Sequence, residues 1–178
     1  MKWNIDKEFE FCYGHRVHSQ VLDTPEYSIN TMCKCRHLHG HQGKIKIGLS
    51  SDNLVNGMVT DFHNLNWFKK FLDDTLDHKF IIDINDPLFE QLTTLSKADS
   101  YPTNNEFGTY STALLTDDSN PEMEELVQSF VIVDFVPTSE NLSHWIFNLA
   151  TQKMKGLGIT VSYVDFWETP RSHCRVEA

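Results

Sequence analysis

Positive charge is what this chain has least of: 15 lysines and arginines stand against 25 aspartates and glutamates, a formal net charge of −10 over 178 residues. General binding to nucleic acid or to an anionic membrane needs an extended basic surface, so neither partner is expected. Long apolar runs are missing as well. No stretch approaches the roughly 18 consecutive apolar residues of a spanning helix, and the opening MKWNIDKEFEF is charged where a secretory signal would be apolar. A soluble cytoplasmic protein is the expectation. Cysteine is sparse: Cys12, Cys33, Cys35 and Cys174 stand beside nine histidines, and without a secreted setting metal or catalytic roles outrank disulfides. There is no internal repeat and no low-complexity tract. A chain of this length suits one domain, residues 1–178, able to bury roughly 70% of its unfolded surface.

The charge that is present is unevenly spread. Residues 88–129 hold Glu90, Asp99, Glu106, Asp117, Asp118, Glu122, Glu124 and Glu125 against Lys97 alone. Residues 34–46 hold Lys34, Arg36, Lys44 and Lys46 with no carboxylate, where an anionic small molecule could be received or where a strand end is simply solvated.

Trp3, Ile5, Phe9 and Phe11 fall on odd positions, with Lys7 breaking the series, and predict a strand with one buried face. Ile45, Ile47 and Leu49 alternate with Lys44, Lys46 and Gly48 in a second strand, and the turn residues that follow suggest an antiparallel pair. After Thr60 or Asp61 as N-cap, Phe62, Leu65, Phe68, Leu72 and Leu76 recur at helical spacing. Residues 88–129 have weak periodicity and read as an inserted acidic loop with one short helix from Pro121. FVIVDFV is a short apolar strand. Pro137 ends it and Thr138 caps a helix burying Leu142, Trp145, Ile146 and Leu149, after which GLGITVSYVDFWET forms a final strand. The order β-β-α-insert-β-α-β favours an α+β fold with an antiparallel sheet, whose exposed edges invite self-association.

His39 and His41 are two apart at the entrance to the second strand, so their rings leave the same face. His15 ends the first strand, and antiparallel pairing would bring it beside them. Three imidazoles without a fourth protein ligand suit a catalytic zinc with an open position. Gly40 between them allows close backbone approach. The competing arrangement is a closed structural site of Cys33, Cys35, His39 and His41, which has four ligands but an unusually short C-x-C spacing. His18, His63, His144 and His173 read as surface or hydrogen-bonded polar residues. Taken alone, Asp77-His78 would be a helix C-terminal pair, and Glu168 an exposed strand-end carboxylate.

Several blocks in order resemble the 6-pyruvoyltetrahydropterin synthase superfamily, and within it the bacterial 6-carboxytetrahydropterin synthases. They are FEFCYGHR around His15, Cys35-x-x-x-His39-Gly40-His41, GMVTDFHNLNWF, LDHKFI, PTSENLSHWI and Glu168-Thr169. The resemblance covers nearly everything except residues 88–129. It implies a T-fold, a four-stranded antiparallel sheet with two helices on one face, closing as a homo-trimer or homo-hexamer with active sites at subunit interfaces. It implies zinc on His15, His39 and His41, Cys35 as general base, and Asp77 and His78 as a proton relay. Glu168 would anchor the pterin's guanidine-like edge, with Glu140 as a second pterin contact. Cys33 has the spacing of the pyruvoyl-forming members and Cys35 that of the carboxy-forming ones; CRHLHGH favours Cys35.

The implied reaction converts 7,8-dihydroneopterin triphosphate to 6-carboxy-5,6,7,8-tetrahydropterin, acetaldehyde and triphosphate, in 7-deazaguanine (queuosine-type) biosynthesis. A thiol base needs its pKa lowered, for which Lys34 and Arg36 are the neighbouring cations. The alternatives are a 6-pyruvoyltetrahydropterin synthase and a non-catalytic zinc- or pterin-binding module whose acidic insertion docks a partner.

Overall fold

In the computed structural model, residues 1–29, 33–113 and 120–178 are described; Asp117 and Asp118 of the acidic stretch lie outside them. Strand alternation sets the frame. β1 (Trp3–His15) buries Phe9, Phe11, Tyr13 and His15 and turns its even positions outward, while β2 (His39–Ser51) buries Ile45, Ile47 and Leu49. The two pair antiparallel along their whole length, from Trp3 opposite Ser51 to His15 opposite His39. The connection between them holds a short helix, α1 (Pro25–Ser28), and a single 3-10 turn, Lys34–Arg36, that carries Cys35.

The helix expected after Asp61 is three segments in succession. Asp61 caps a 3-10 turn, Phe62–Leu65, by accepting from the His63 amide at 2.8 Å. α2 (Asn66–Phe71) follows, and then a π turn, Leu72–Leu76, closed by the Asp77 amide donating to Leu72 O at 2.8 Å. Leu65, Phe68, Leu72 and Leu76 are buried as their spacing predicts, but Phe62 is exposed because the tighter 3-10 turn rotates it off the stripe.

β3 (Lys79–Asp83) runs parallel to β1, and β6 (Phe130–Val133) runs parallel to β3. Where a loop was expected, residues 88–129 contain α3 (Phe89–Thr93), the hairpin β4 (Thr103–Asn105) and β5 (Gly108–Thr112), and α4 (Pro121–Gln128). The helix from Pro121 lies where expected, capped by Asn120. Phe89, Ala113 and Val127 join Ile82, Ile84, Phe130 and Ile132 in a small second core.

α5 (Ser139–Lys155) starts at Thr138, whose side chain accepts from the Asn141 amide, and buries Leu142, Trp145, Ile146 and Leu149. β7 (Thr160–Thr169) pairs antiparallel with β2, and β8 (Ser172–Glu177) with β7. Among the described residues the sheet has eight strands in the order β4-β5-β6-β3-β1-β2-β7-β8.

The four-stranded antiparallel sheet is therefore β1-β2-β7-β8, and the other four strands extend it beyond β1 into a mixed sheet. FVIV was expected inside the antiparallel set. It lies instead on the far side of β3, and β8, which had no clear alternating signal, takes the fourth place. The segments from Leu65 to Leu76 and α5 pack on one face, sharing a core with Phe9, Phe11, Ile45, Ile47, Val164 and Phe166. Burying each such side chain contributes roughly 1.5–3 kcal/mol. Among the described residues no helix is long and apolar enough to cross a membrane.

Candidate active site

The β1–β2 ladder brings the three histidines together from the same face of neighbouring strands. His15 Nε2 lies 3.0 Å from His39 Nε2, and the nearest ring nitrogens of His15, His39 and His41 all lie within 4.8 Å of one another. Gly40 makes this pairing tight: a Cβ there would stand 2.9 Å from the Tyr13 carbonyl oxygen. The strands could not approach so closely around a larger residue.

The outer ring nitrogens are already occupied. His15 Nδ1–H donates to Pro137 O at 2.6 Å, and His39 Nδ1–H donates to His37 O at 2.8 Å. Both tautomers thereby leave Nε2 lone pairs facing inward, and His41 Nε2 is buried without a hydrogen-bond partner among the described residues. Two bare lone pairs 3.0 Å apart repel unless a cation sits between them. Burial holds the His15 pKa down to about 4 and lowers that of His41, so these rings are neutral ligands at ordinary pH. The donor set, three imidazole nitrogens with fixed outer partners, fits zinc with an open coordination position. Cys33 and Cys35 are outside this group, which disfavours the closed four-ligand arrangement.

Glu168, near the end of β7, reaches the same cluster: its Oε1 is 3.6 Å from His15 Nε2. Its pKa is raised, first by burial, with the approach of Glu140 from the first turn of α5 adding to the rise and His39 opposing it. Both carboxylates expected to meet a pterin thus stand on the histidine side of the sheet. A cavity of about 500 Å³ opens beside them, bordered by His41, Gly43, Lys44, Trp167 and Glu168.

The sequence of residues 4–178 matches the family described as 6-pyruvoyl tetrahydropterin synthase. The chain belongs to that family. It is 31% identical over 184 residues to the 6-carboxy-5,6,7,8-tetrahydropterin synthase of Aquifex aeolicus, covering 97% of this chain and 96% of the other. The enzyme of the same name from Haemophilus influenzae is 27% identical, with 98% and 99% covered. Among solved structures, an uncharacterised protein of Wolinella succinogenes superposes with a TM-score of 0.91 at 48% identity, covering 99% of this chain and 98% of that one. The 6-pyruvoyl tetrahydropterin synthase of Caenorhabditis elegans shares the fold, with a TM-score of 0.57 at 20% identity, 100% of this chain and 96% of that one being covered. The family establishes the T-fold and establishes the chain as an enzyme, a lyase of the tetrahydropterin synthase type.

Within this family frame Cys35 shows a difference from expectation. Its thiol pKa is pushed up to about 11 by burial, by a hydrogen bond with Cys33, and by the negative charges around it. Arg36, expected to lower it, turns away to donate to Gln20 O at 3.1 Å. Cys33 donates to Gln20 Oε1 at 3.0 Å and caps the turn by accepting from the Cys35 amide.

Asp77 and His78 are anchored elsewhere. Asp77 Oδ1 accepts from the Cys12 amide at 2.7 Å, a bond that lowers its pKa, and the His78 amide donates to Cys12 O at 2.7 Å. His78 has left-handed backbone, φ 61°, and an exposed ring whose Nδ1 lies 3.0 Å from Asp77 Oδ2. A second cavity, about 650 Å³, lies against His78, Cys12 and Phe80 and also borders His39 and His41. Phe80 reaches Gly14, an even position of β1 facing away from the histidine cluster, where an added Cβ would stand 2.5 Å from its ring. The protein thus gathers His15, His39, His41, Glu168 and Glu140 on one side, and holds the Asp77-His78 pair separately.

Two participants were not anticipated. Pro137 was read as a strand terminator, yet its carbonyl orients His15. Tyr13 was read only as part of a motif, yet its ring packs on His15 and His41 with centroid distances of 5.2 and 5.8 Å. Its odd position in β1, in phase with His15, was the available signal.

Proposed function

We propose that this enzyme is a zinc-dependent 6-carboxy-5,6,7,8-tetrahydropterin synthase, converting 7,8-dihydroneopterin triphosphate and one water to the carboxypterin, acetaldehyde and triphosphate. The observation that carries this reading is the inward-facing trio of His15, His39 and His41 with Glu168 Oε1 3.6 Å from His15. The relatives named for the 6-carboxy reaction support the product.

His15, His39 and His41 would hold the zinc, which would supply Lewis acidity toward the substrate's side-chain oxygens. Glu168 accepts from the pterin's amino and ring N–H groups, and Glu140, whose charge acts on Glu168, joins it as a second pterin contact. Cys35 removes a proton from the substrate side chain. Its neighbours hold the thiol protonated in the isolated chain, so it becomes a base only when positive charge enters the site. His78, oriented by Asp77, returns a proton.

His78 is exposed and tied to the β1–β3 edge, so it serves a site completed by another copy of this chain. A homo-trimer or homo-hexamer with active sites between subunits follows, and the sheet edges at β4 and β8 are free to pair. The cellular setting is a cytoplasmic one, and the product would enter 7-deazaguanine biosynthesis of the queuosine type.

Anaerobic incubation of the zinc-loaded protein with 7,8-dihydroneopterin triphosphate tests this by mass spectrometry. Acetaldehyde with a carboxypterin supports the reading. A pyruvoyl product moves the base to Cys33, which adjoins Cys35; zinc binding without turnover indicates a binding module instead.

A further inference from the structure

One buried hydroxyl beside the site has no partner. Tyr13 is 4% exposed, and its Oη is covered without a hydrogen-bond partner among the described residues. A phenylalanine would avoid that cost, because an unpaired buried hydroxyl loses its water and gains nothing in return.

The ring's direction follows from what β2 leaves empty. A Cβ on Gly43 would stand 2.9 Å from Tyr13 Cε1 and 2.9 Å from Phe11 Cε1, so the Tyr13 ring occupies the volume a side chain at 43 would take. It lies across β2 toward β7, edge-on to Phe166 at 5.7 Å. Lys44 pairs with Trp167, which puts Gly43 across from Glu168. The hydroxyl is thereby carried toward the Glu168 carboxylate. A phenol is un-ionised at neutral pH, so the group is a neutral donor.

We propose that Tyr13 is a positioning residue for Glu168, its hydroxyl donating to the carboxylate while the other lone pairs receive the N–H groups of the pterin edge. This rests on the reading of Glu168 as the pterin anchor. An ionised carboxylate offers about four lone-pair sites, enough for two ligand donors and a phenol at once. Glu168 is partly exposed and makes no hydrogen bond of 3.5 Å or less to His15, so no such bond at His15 holds the carboxylate away from the phenol. The bond would fix the carboxylate plane that selects a 2-amino group over a 2-oxo group.

Tyr13→Phe removes the oxygen and keeps the ring. Calorimetry on the zinc-loaded chain would compare 7,8-dihydroneopterin with the matching lumazine, in which oxygen replaces the 2-amino group. Zinc content and thermal midpoint serve as structural controls. Expected are unchanged controls, about tenfold weaker binding of the pterin and a clearly smaller loss for the lumazine, which keeps a ring N–H but has no 2-amino donor for the oriented carboxylate. Equal weakening for both ligands, or unchanged pterin affinity, would overturn the proposal and leave Tyr13 as packing alone. A wild-type chain that does not prefer the pterin would defeat the anchor reading of Glu168 itself, a result visible before any variant is made.

Discussion

Arg16 holds Asp86 through Nη1, at 2.7 and 2.9 Å from its two carboxylate oxygens, while its Nε donates to Arg36 O at 2.8 Å. One guanidinium thus fastens the turn carrying Cys35 to the segment after β3. Asp86 is 1% exposed, so removing the cation strands a buried charge. Arg16→Met should cost roughly 3–5 kcal/mol of stability in urea unfolding. Alkylation of Cys35 should also quicken while zinc content holds; an unchanged midpoint with unchanged alkylation would show that the pair fastens nothing.

Metal binding and turnover should separate by residue. His39→Ala removes one of three ligands and should lose stoichiometric zinc and activity together. Cys35→Ala should keep zinc and lower turnover by about 10²–10⁴, the range for a proton-transfer group. Metal analysis beside product formation checks both. Zinc lost from the cysteine variant would move Cys35 into the coordination shell.

The metal-free chain should weaken in mild acid. His15 is fully buried and its pKa is held down to about 4, against 6.5 when exposed. The unfolded chain therefore binds a proton here first, and stability present above about pH 6.5 falls by roughly 3 kcal/mol as the pH drops to 4. Urea midpoints of the apo protein at three pH values measure this. A His15→Gln variant should lack that portion of the slope, and an equal slope would place the titration on another group.

If His78 serves a neighbouring subunit, two inactive variants should repair one another. Mixed oligomers of Cys35→Ala and His78→Ala chains, refolded together, would contain some sites with both groups intact. Recovery of about a quarter of wild-type activity from an equal mixture is expected when each site draws on two independently chosen chains. Strict absence of recovery would place both residues in one chain's site.

Much of the candidate metal site was legible in local pattern. A period of two puts His39 and His41 on one face, and a strand ending at His15 needs only antiparallel pairing to complete the trio. The carbonyl that orients His15 was not legible, because Pro137 contacts His15 across 122 positions of sequence and contributes only a backbone oxygen. The effect of Lys34 and Arg36 on Cys35 failed for a related reason: adjacency in sequence says nothing of direction, and Arg36 turns to Gln20. Residues 88–129 hid their order because β5 joins the sheet at only Ser111 and Thr112, and Phe89 and Val127 are isolated apolar anchors without a period.

The π turn at Leu72–Leu76 acts as a phase adjuster. An α-helix advances about 100° per residue, so reclosing these five residues as regular α would rotate whatever follows by about that angle. Asp77 would swing away from the Cys12 amide, and His78 would leave the edge of β1. A substitution that recloses this short segment as regular α, with no residue lost, would therefore leave Asp77 and His78 chemically intact and yet mis-aim them, a kind of damage to which the composition of the site is blind.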